Sequence, residues 1–218
     1  MSVPERIRFY FDPLCPWCYQ TSRWARRLEE DGLVDIDWRV FSLAIANRDD
    51  EGRAAATDGA APALRVSVAL RERDGVAAVG RFYAALGAAV HERGEDVADP
   101  GVLGAAIEAA NADPALLQEV LGDPRTWEMV QREHDDAVQR LHAFGVPTIE
   151  LANGSAMFGP IVIDVPNASE GRELWEHFRW LTQNANVAEL KRHRDSAPDL
   201  ESVRRYVERK AKEHAAAA

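Results

Sequence analysis

Apolar and polar residues form a strand pattern near the N-terminus, with a helical stretch between two strands. Ile7–Phe11 is a short apolar run, and Asp35–Phe41 alternates between apolar and polar residues, as β-strands do. Residues 15–31 between them have large apolar side chains at helical spacing. This order predicts a β-α-β unit, in which a helical crossover makes the two strands parallel.

The middle of the chain has helical patterns and no strand pattern. Asp-Pro pairs begin at Asp99, Asp113 and Asp123. Each places an aspartate where a helix N-cap accepts backbone N–H groups, and a proline at the first helical position. With the helical patterns of Pro62–Arg73 and Val76–Glu92 before them, these pairs predict about five helices over residues 62–143. The preceding segment, Asn47–Pro62, is polar, rich in alanine and glycine and poorly periodic, which indicates a mobile connection.

Strand patterns return after residue 143. Val146–Leu151 and Ala156–Phe158 flank an Asn-Gly dipeptide, which is a strong signal for a β-hairpin. Helical patterns follow over Ser169–Gln183 and Leu200–His214. The last part of the chain therefore predicts a β-β-α unit with one further C-terminal helix.

The two cysteines of the chain lie three residues apart, in Cys15-Pro16-Trp17-Cys18, between the first strand and its helix. The order strand, C-x-x-C, helix is typical of a thioredoxin-like redox site. Unpaired backbone N–H groups at a helix N-terminus lower the pKa of a thiol there and so activate the thiolate. Proline suits the first helical turn, and Trp17 is expected to form an apolar wall beside the attacking sulfur.

A zinc site and a structural disulfide are the alternatives for this cysteine pair. Structural zinc takes four ligands, commonly two such pairs, and this chain has neither a second pair nor a zinc-finger histidine spacing. A disulfide across so short a loop constrains the unfolded chain little. We therefore predict a catalytic dithiol and no metal site.

These patterns together predict an α/β fold class: a thioredoxin fold with an all-helical domain inserted between its β-α-β and β-β-α halves. Residues 1–50 and 144–218 would form the thioredoxin-like domain, and residues 51–143 the inserted helical cap. A chain of 218 residues is long enough for this arrangement around one sizeable core.

Charge and hydropathy limit the partners of the protein. The formal net charge is −10, which disfavours nucleic acid and anionic membranes as partners. No apolar run is long enough to span a bilayer, and the N-terminus has no pattern of a signal peptide. We expect a cytoplasmic protein, monomeric or homodimeric, in which an isolated cysteine pair is catalytic because the compartment keeps thiols reduced.

Pro147 stands at the start of a strand, between Val146 and Thr148, and a proline is unusual at that place. An ordinary trans proline is one interpretation. The other is a cis Val146–Pro147 peptide that faces the dithiol and leaves the backbone beside it open to an extended substrate. The order of elements around it favours the cis form.

Three further residues are candidates for supporting the site. Asp12 either caps the active-site turn or accepts a proton from Cys18. His134, on the apolar face of its helix, is either a core residue or a proton relay beside the dithiol. His91 ends a predicted helix, where a cation is favoured by the helix dipole, and a contact from the cap is the alternative.

Five segments carry a resemblance to a known family. They are F-D-P-L-C-P-W-C (11–18), T-S-R-W (21–24), F-S-L-A-I (41–45), P-T-I (147–149) and F-G-P (158–160). With them the chain resembles the DsbA family, and within it the mycothiol-dependent nitroreductases. The kappa-class glutathione transferases and chromene-carboxylate isomerases of the same superfamily have serine at the position of Cys15, so both cysteines argue against that branch.

The resemblance implies that Cys15 attacks, that Cys18 resolves and that mycothiol returns the electrons as a cosubstrate, with no tightly bound cofactor. It also implies a low-molecular-weight thiol and a mixed-disulfide or nitroaromatic substrate, for which we expect contacts from Trp17, Asn47 and Thr148. Two alternatives stay open. One is a DsbA-like protein disulfide oxidase or isomerase, and the other is a redox-sensing or chaperone-type binding module.

Overall fold

Four strands form one mixed sheet in this computed structural model, which describes residues 3–47 and 59–217. The strands are β1 (Glu5–Phe11), β2 (Val34–Val40), β3 (Thr148–Leu151) and β4 (Ala156–Phe158), in the spatial order β2-β1-β3-β4. β1 pairs with β2 in parallel, whereas the β1–β3 and β3–β4 pairs are antiparallel. The predicted β-α-β unit and hairpin are both confirmed.

Each half of the thioredoxin-like domain contributes one helix that packs beside the sheet. α1 (Pro16–Glu30) connects β1 to β2, and α8 (Ala168–Gln183) follows β4. The Trp24 indole N–H of α1 donates to the carbonyl of Gly171 in α8 at 3.0 Å. Asn167 begins α8 with a reciprocal capping box, which explains why this helix starts sharply. The two helices therefore pack together and fix the direction of α1, which begins at the cysteines.

The segment between β2 and β3 contains helices joined by short loops over the predicted range 62–143, and this range, all of it described, has no strand. It contains α3 (Ala61–Asp74), α4 (Val76–Gly87), α5 (Pro100–Ala109), α6 (Leu116–Gly122) and α7 (Arg125–Leu141), after a short α2 (Leu43–Ala46) that directly follows the sheet. α4 continues into a π-helical turn, Ala88–Glu92. Residues 48–58, which include most of the predicted mobile connection and the predicted domain boundary at residues 50 and 51, lie outside the described residues.

Two of the three predicted N-caps are displaced in the structure. Asp99 caps α5 as predicted, with its carboxylate accepting two backbone N–H groups at 2.7 and 3.2 Å. α6 and α7 begin at Leu116 and Arg125, later than the prolines of their Asp-Pro pairs. There the carboxylates of Asp113 and Asp123 accept from the N–H two residues ahead, at 2.9 and 3.0 Å, and these bonds close a turn before the helix begins.

The inserted helices and the sheet share one hydrophobic core. Trp38 of β2 lies against Phe9 and against Tyr83 of α4, with ring centroids 5.1 and 5.7 Å apart. A Cβ at Gly80 would lie 2.7 Å from the Trp38 indole nitrogen, and one at Gly87 would lie 2.4 Å from the Tyr19 ring. The two glycines therefore let α4 approach the sheet and α1 more closely than any other residue would allow.

The chain ends with α9 (Glu201–Ala217), which contacts the π-helical turn of the insertion. Across residues 3–47 and 59–217, no helix has both the length and the apolar run that crossing a bilayer requires.

Candidate active site

The cysteine pair lies at the start of α1, where the sequence pattern places it. Cys15 is the N-cap residue, and its sulfur accepts the backbone N–H of Cys18 at 3.3 Å. Pro16 occupies the first turn of the helix. Both cysteines are free thiols, with 6 % of Cys15 exposed and none of Cys18. An incoming disulfide can therefore reach the first sulfur and not the second.

The two thiols have opposite pKa shifts. The Cys18 thiol donates a hydrogen bond to the Cys15 sulfur, which lowers the pKa of Cys15 against the opposing effect of burial. The backbone N–H groups of Cys18 and Trp17 act in the same direction. Burial and the bond to Cys15 raise the pKa of Cys18 well above its ordinary value. The surroundings thus favour the thiolate at Cys15 and the protonated thiol at Cys18.

The loop before β3 faces the attacking sulfur. The Val146–Pro147 peptide bond is cis, and the Cys15 sulfur lies 3.7 Å from the carbonyl oxygen of Val146. Thr148 is only 3 % exposed, and its hydroxyl donates to the carbonyl of Gly145 at 2.8 Å. The hydroxyl is thus buried and bonded within its own turn, and a substrate contact of Thr148 stays a prediction.

Asp12 ties the active-site turn to the segment after β2. One carboxylate oxygen accepts the backbone N–H of Leu14, and the other accepts the N–H of Leu43, both at 2.8 Å. The side chain is buried, and its negative charge raises the pKa of both cysteines. The predicted capping role is therefore present, and it extends to the first residue of α2.

His91 lies in the π-helical turn, and the prediction that it is a cation at a helix end is wrong. The ring is 1 % exposed, and burial lowers its pKa to about 4. Its Nε2 lies 2.9 Å from the carbonyl oxygen of Pro13, and its Nδ1 lies 2.9 Å from the hydroxyl of Ser202. Because a carbonyl only accepts, Nε2 carries the proton and Nδ1 accepts from Ser202.

The ring of His91 also stacks on Tyr19 of α1, with centroids 5.2 Å apart. The Tyr19 hydroxyl donates to the Glu92 carboxylate at 2.6 Å, so the π-helical turn contacts α1 through two neighbouring residues. π-Helical turns are frequent at functional sites. Here the turn holds the cap against the first helix and the active-site loop, which is the cap contact that the sequence left open.

His134 lies beside the segment that follows β2. Its side chain is 3 % exposed, and its Nδ1 accepts the backbone N–H of Ser42 at 3.3 Å. The ring packs on Phe41, with centroids 4.3 Å apart. These contacts favour the structural interpretation of His134, in which α7 supports residues 41–43 and, through Leu43, the Asp12 carboxylate.

Apolar side chains with exposed surface lie next to the dithiol in the chain and at both ends of the cis-proline loop. Leu14 is 41 % exposed, and Trp17 is half-buried. Phe144 and Phe158 are exposed near the cis-proline loop, and their ring centroids lie 4.9 Å apart. Asn47, predicted to bind substrate, is exposed at the end of α2.

Two features of the site were missed by the sequence analysis. The Gly159–Pro160 peptide bond is also cis, and Thr21 of α1 donates to the Pro160 carbonyl at 2.9 Å. The guanidinium of Arg194 lies over the Trp17 ring, 4.9 Å from its centroid. The F-G-P triplet was a signal for the first feature, whereas nothing local in the sequence indicates the second.

Fold and dithiol together define a thiol–disulfide oxidoreductase built on a thioredoxin fold. Residues 14–192 match the Rv2466c-like family, described as the mycothiol-dependent nitroreductase Rv2466c, and the chain belongs to this family. The family and the fold class indicated by the sequence motifs are thereby confirmed.

Known proteins similar to the chain include one relative by sequence and several by fold. The uncharacterized protein Rv2286c of Mycobacterium tuberculosis is 32 % identical over 201 residues, which cover 90 % of this chain and 85 % of the relative. The cytosolic disulfide reductase DsbM of Pseudomonas aeruginosa, solved with GSH, has a TM-score of 0.57 at 17 % identity, over 80 % of this chain and 99 % of that one. BdbD of Bacillus subtilis has a TM-score of 0.58 at 16 % identity, over 84 % and 90 %.

Proposed function

We propose that this protein is a cytoplasmic, mycothiol-dependent reductase that acts on mixed disulfides or small electrophiles through Cys15 and Cys18. The observation that carries the proposal is the asymmetry of the pair, with a partly accessible low-pKa thiol beside a buried protonated one. Membership of the Rv2466c-like family supports mycothiol as the electron donor.

The reaction begins when the Cys15 thiolate attacks one sulfur of a mixed disulfide. The old disulfide bond breaks, one thiolate leaves, and the substrate stays bound to Cys15. Cys18 then loses its proton and attacks the Cys15 sulfur, which releases the second thiol and closes the Cys15–Cys18 disulfide. Two mycothiol molecules would return the protein to the dithiol, with mycothiol disulfide as the other product.

Substrate would lie between Trp17 and the cis-proline loop, whose Val146 carbonyl lies 3.7 Å from the Cys15 sulfur, with the exposed apolar residues Leu14 and Phe144 nearby in the chain. Such a surface suits an aromatic electrophile as well as the carbon chain of a disulfide. For a nitroaromatic compound, the dithiol would supply two electrons and two protons, which convert the nitro group to a nitroso group and water. Asn47, exposed at the end of α2, would contact the same substrate.

The experiment compares electron donors. The oxidised protein is mixed with mycothiol, with glutathione or with a thioredoxin system, and the return of free Cys15 is followed by alkylation and mass spectrometry. We expect mycothiol to be the fastest donor at equal thiol concentration. Cys15→Ser should lose turnover, and Cys18→Ser should accumulate a stable mixed disulfide. Faster reduction by thioredoxin or glutathione would contradict the proposal.

A protein disulfide oxidase is the second candidate, and the low pKa of Cys15 favours it. Stabilising the thiolate stabilises the reduced form, and a stable reduced form makes a dithiol more oxidising. The reduction potential against glutathione separates the two functions. A potential near that of DsbA, about −120 mV, indicates an oxidase, and one near that of thioredoxin, about −270 mV, indicates a reductase.

A further inference from the structure

The C-terminal segment, residues 194–205, runs beside the active site and is anchored there at three places. Leu200 is 3 % exposed, so an apolar side chain holds the segment to the body of the protein. The Ser202 hydroxyl bonds to His91, whose other nitrogen bonds to the Pro13 carbonyl of the active-site loop. Arg205 donates to the carbonyl of Gly94 at 2.6 Å. This segment lies beyond residues 14–192, which match the family.

One cation of the segment lies directly at the dithiol motif. Arg194 places its guanidinium 4.9 Å from the centroid of Trp17, which is two residues after Cys15. A guanidinium over an indole is held by the electrostatic attraction of the ring face. The neighbouring Asp195 carboxylate lies 3.4 Å from His193. Within the described ranges, Arg194 itself has no carboxylate at ion-pair distance, so its charge faces the space beside Trp17.

This placement matters because the protein as a whole is acidic. A net charge of −10 repels an anionic substrate, whereas a cation over Trp17, two residues after Cys15, offsets that repulsion locally. A disulfide bound at Cys15 lies along the same helix start as Trp17. An anionic group on the substrate therefore comes within reach of the Arg194 guanidinium, while a neutral substrate gains only the apolar wall.

We infer that residues 194–205 form a wall of the thiol-exchange site and that Arg194 is a specificity-determining residue favouring disulfide substrates with a carboxylate near the reacting sulfur. The inference rests on the exchange chemistry of the proposed function. The Cys15 thiolate displaces one thiolate of the disulfide, Cys18 displaces the other, and the protein disulfide that forms accounts for the two electrons.

The test compares two disulfide probes that differ in charge. Reduced protein is mixed with 5,5′-dithiobis(2-nitrobenzoate), which carries two carboxylates, or with the neutral 4,4′-dithiodipyridine, and release of the coloured thiol is followed in a single turnover. Arg194→Gln should slow the anionic probe by about fivefold and the neutral probe by less than about twofold, the effect of one nearby charge in water. Arg194→Lys should keep most of the preference, because it keeps the charge.

Arg192→Gln is the matched control, since it removes the same charge from an exposed residue two positions away. It should leave the ratio of the two rates unchanged. Salt gives a second measurement on the unmodified protein. Between about 0.01 M and 1 M salt the Debye length falls from about 30 Å to about 3 Å, and the preference for the anionic probe should fall with it.

Several results would overturn the inference. Equal slowing of both probes by Arg194→Gln would mean that the residue acts on the Cys15 thiolate and not on the substrate. An equal change of the ratio in Arg192→Gln would mean a general charge effect. If circular dichroism shows that Arg194→Gln does not fold, the salt dependence of the wild-type protein decides. A preference for the anionic probe that does not change with salt would then overturn the inference.

The proposed dependence on mycothiol and the inference about Arg194 can be disproved separately. The single-turnover rates need no mycothiol, so an oxidised protein that mycothiol does not reduce would leave this comparison intact. A reduced wild-type protein that reacts with neither probe at Cys15 would overturn both.

Discussion

His91 Nε2 lies 2.9 Å from the carbonyl oxygen of Pro13, so a buried imidazole of the helical insertion bonds directly to the loop that leads into the dithiol. A carbonyl only accepts, so Nε2 carries a proton, and burial keeps the ring neutral by lowering its pKa to about 4. Protonation would add a proton at Nδ1, so it would oppose the bond from Ser202 and leave the bond to Pro13 in place.

The stability of the protein should fall as the pH is lowered through the titration range of His91. The pKa of His91 is about 4 in the folded protein and about 6.5 in an unfolded chain, so folding disfavours the protonated ring. The stabilisation is complete above about pH 6.5, decreases from there to about pH 4 and amounts to about 3 kcal/mol at most. Chemical denaturation at several pH values measures it.

His91→Gln keeps an N–H donor and removes the titration, so its stability should depend less on pH over this range. His177→Gln is the control, because His177 is exposed on α8. If wild type and His91→Gln lose stability in parallel between pH 6.5 and pH 4, His91 is not the group responsible.

Cys18 should control the reactivity of Cys15 through its hydrogen bond. Cys18→Ala removes the donor and should raise the pKa of Cys15, because that bond is the largest cause of its lowering. Cys18→Ser keeps a hydroxyl donor and should keep most of the effect. The rate of Cys15 alkylation against pH gives both pKa values. Identical profiles for the two variants would show that the helix N-terminus alone sets the pKa.

Asp12→Asn should lower the pKa of Cys15 and destabilise the protein. The carboxylate charge raises the pKa of both thiols, so removing it favours the thiolate. The same carboxylate accepts two backbone N–H groups with separate oxygens, and an amide can replace only one of them. The loss should be about 1–3 kcal/mol.

Alkylation against pH and urea denaturation measure these two effects. Asp113→Asn, an exposed turn residue of the insertion, is the control and should leave the pKa of Cys15 unchanged. A Cys15 pKa that rises in Asp12→Asn would mean that the hydrogen bonds of Asp12, and not its charge, act on the thiol.

Gly87→Ala should separate α4 from α1. A Cβ at this position would lie 2.4 Å from the ring of Tyr19, which cannot move freely because it stacks on His91 and bonds to Glu92. We expect a loss of about 1–3 kcal/mol despite the better helix propensity of alanine. Gly122→Ala, with no atom within 4 Å of the added Cβ, should be neutral or stabilising by up to about 1 kcal/mol. Equal urea midpoints for the two variants would refute this packing.

The amino-acid sequence by itself determined the order of elements and the chemistry of the attacking pair. Both follow from local rules, because strand and helix periods span a few residues and Cys15 meets Cys18 within one helical turn. The Asp-Pro pairs indicated three of the five helices α3–α7 of the insertion. Two of these helices begin later than predicted, because a side-chain bond to the residue two positions ahead closes a turn there first.

Only the tertiary structure decided how distant residues meet around the dithiol. His91 reaches the loop of Pro13 because two glycines let α4 pack closely on the sheet and α1, and Arg194 reaches Trp17 because Leu200 anchors the C-terminal segment. The residues of each pair are far apart in the sequence. No hydrophobic pattern around His91 or Arg194 indicates which distant residue it contacts. Burial then decided their chemistry, because desolvation keeps His91 neutral whereas an exposed Arg194 keeps its charge available.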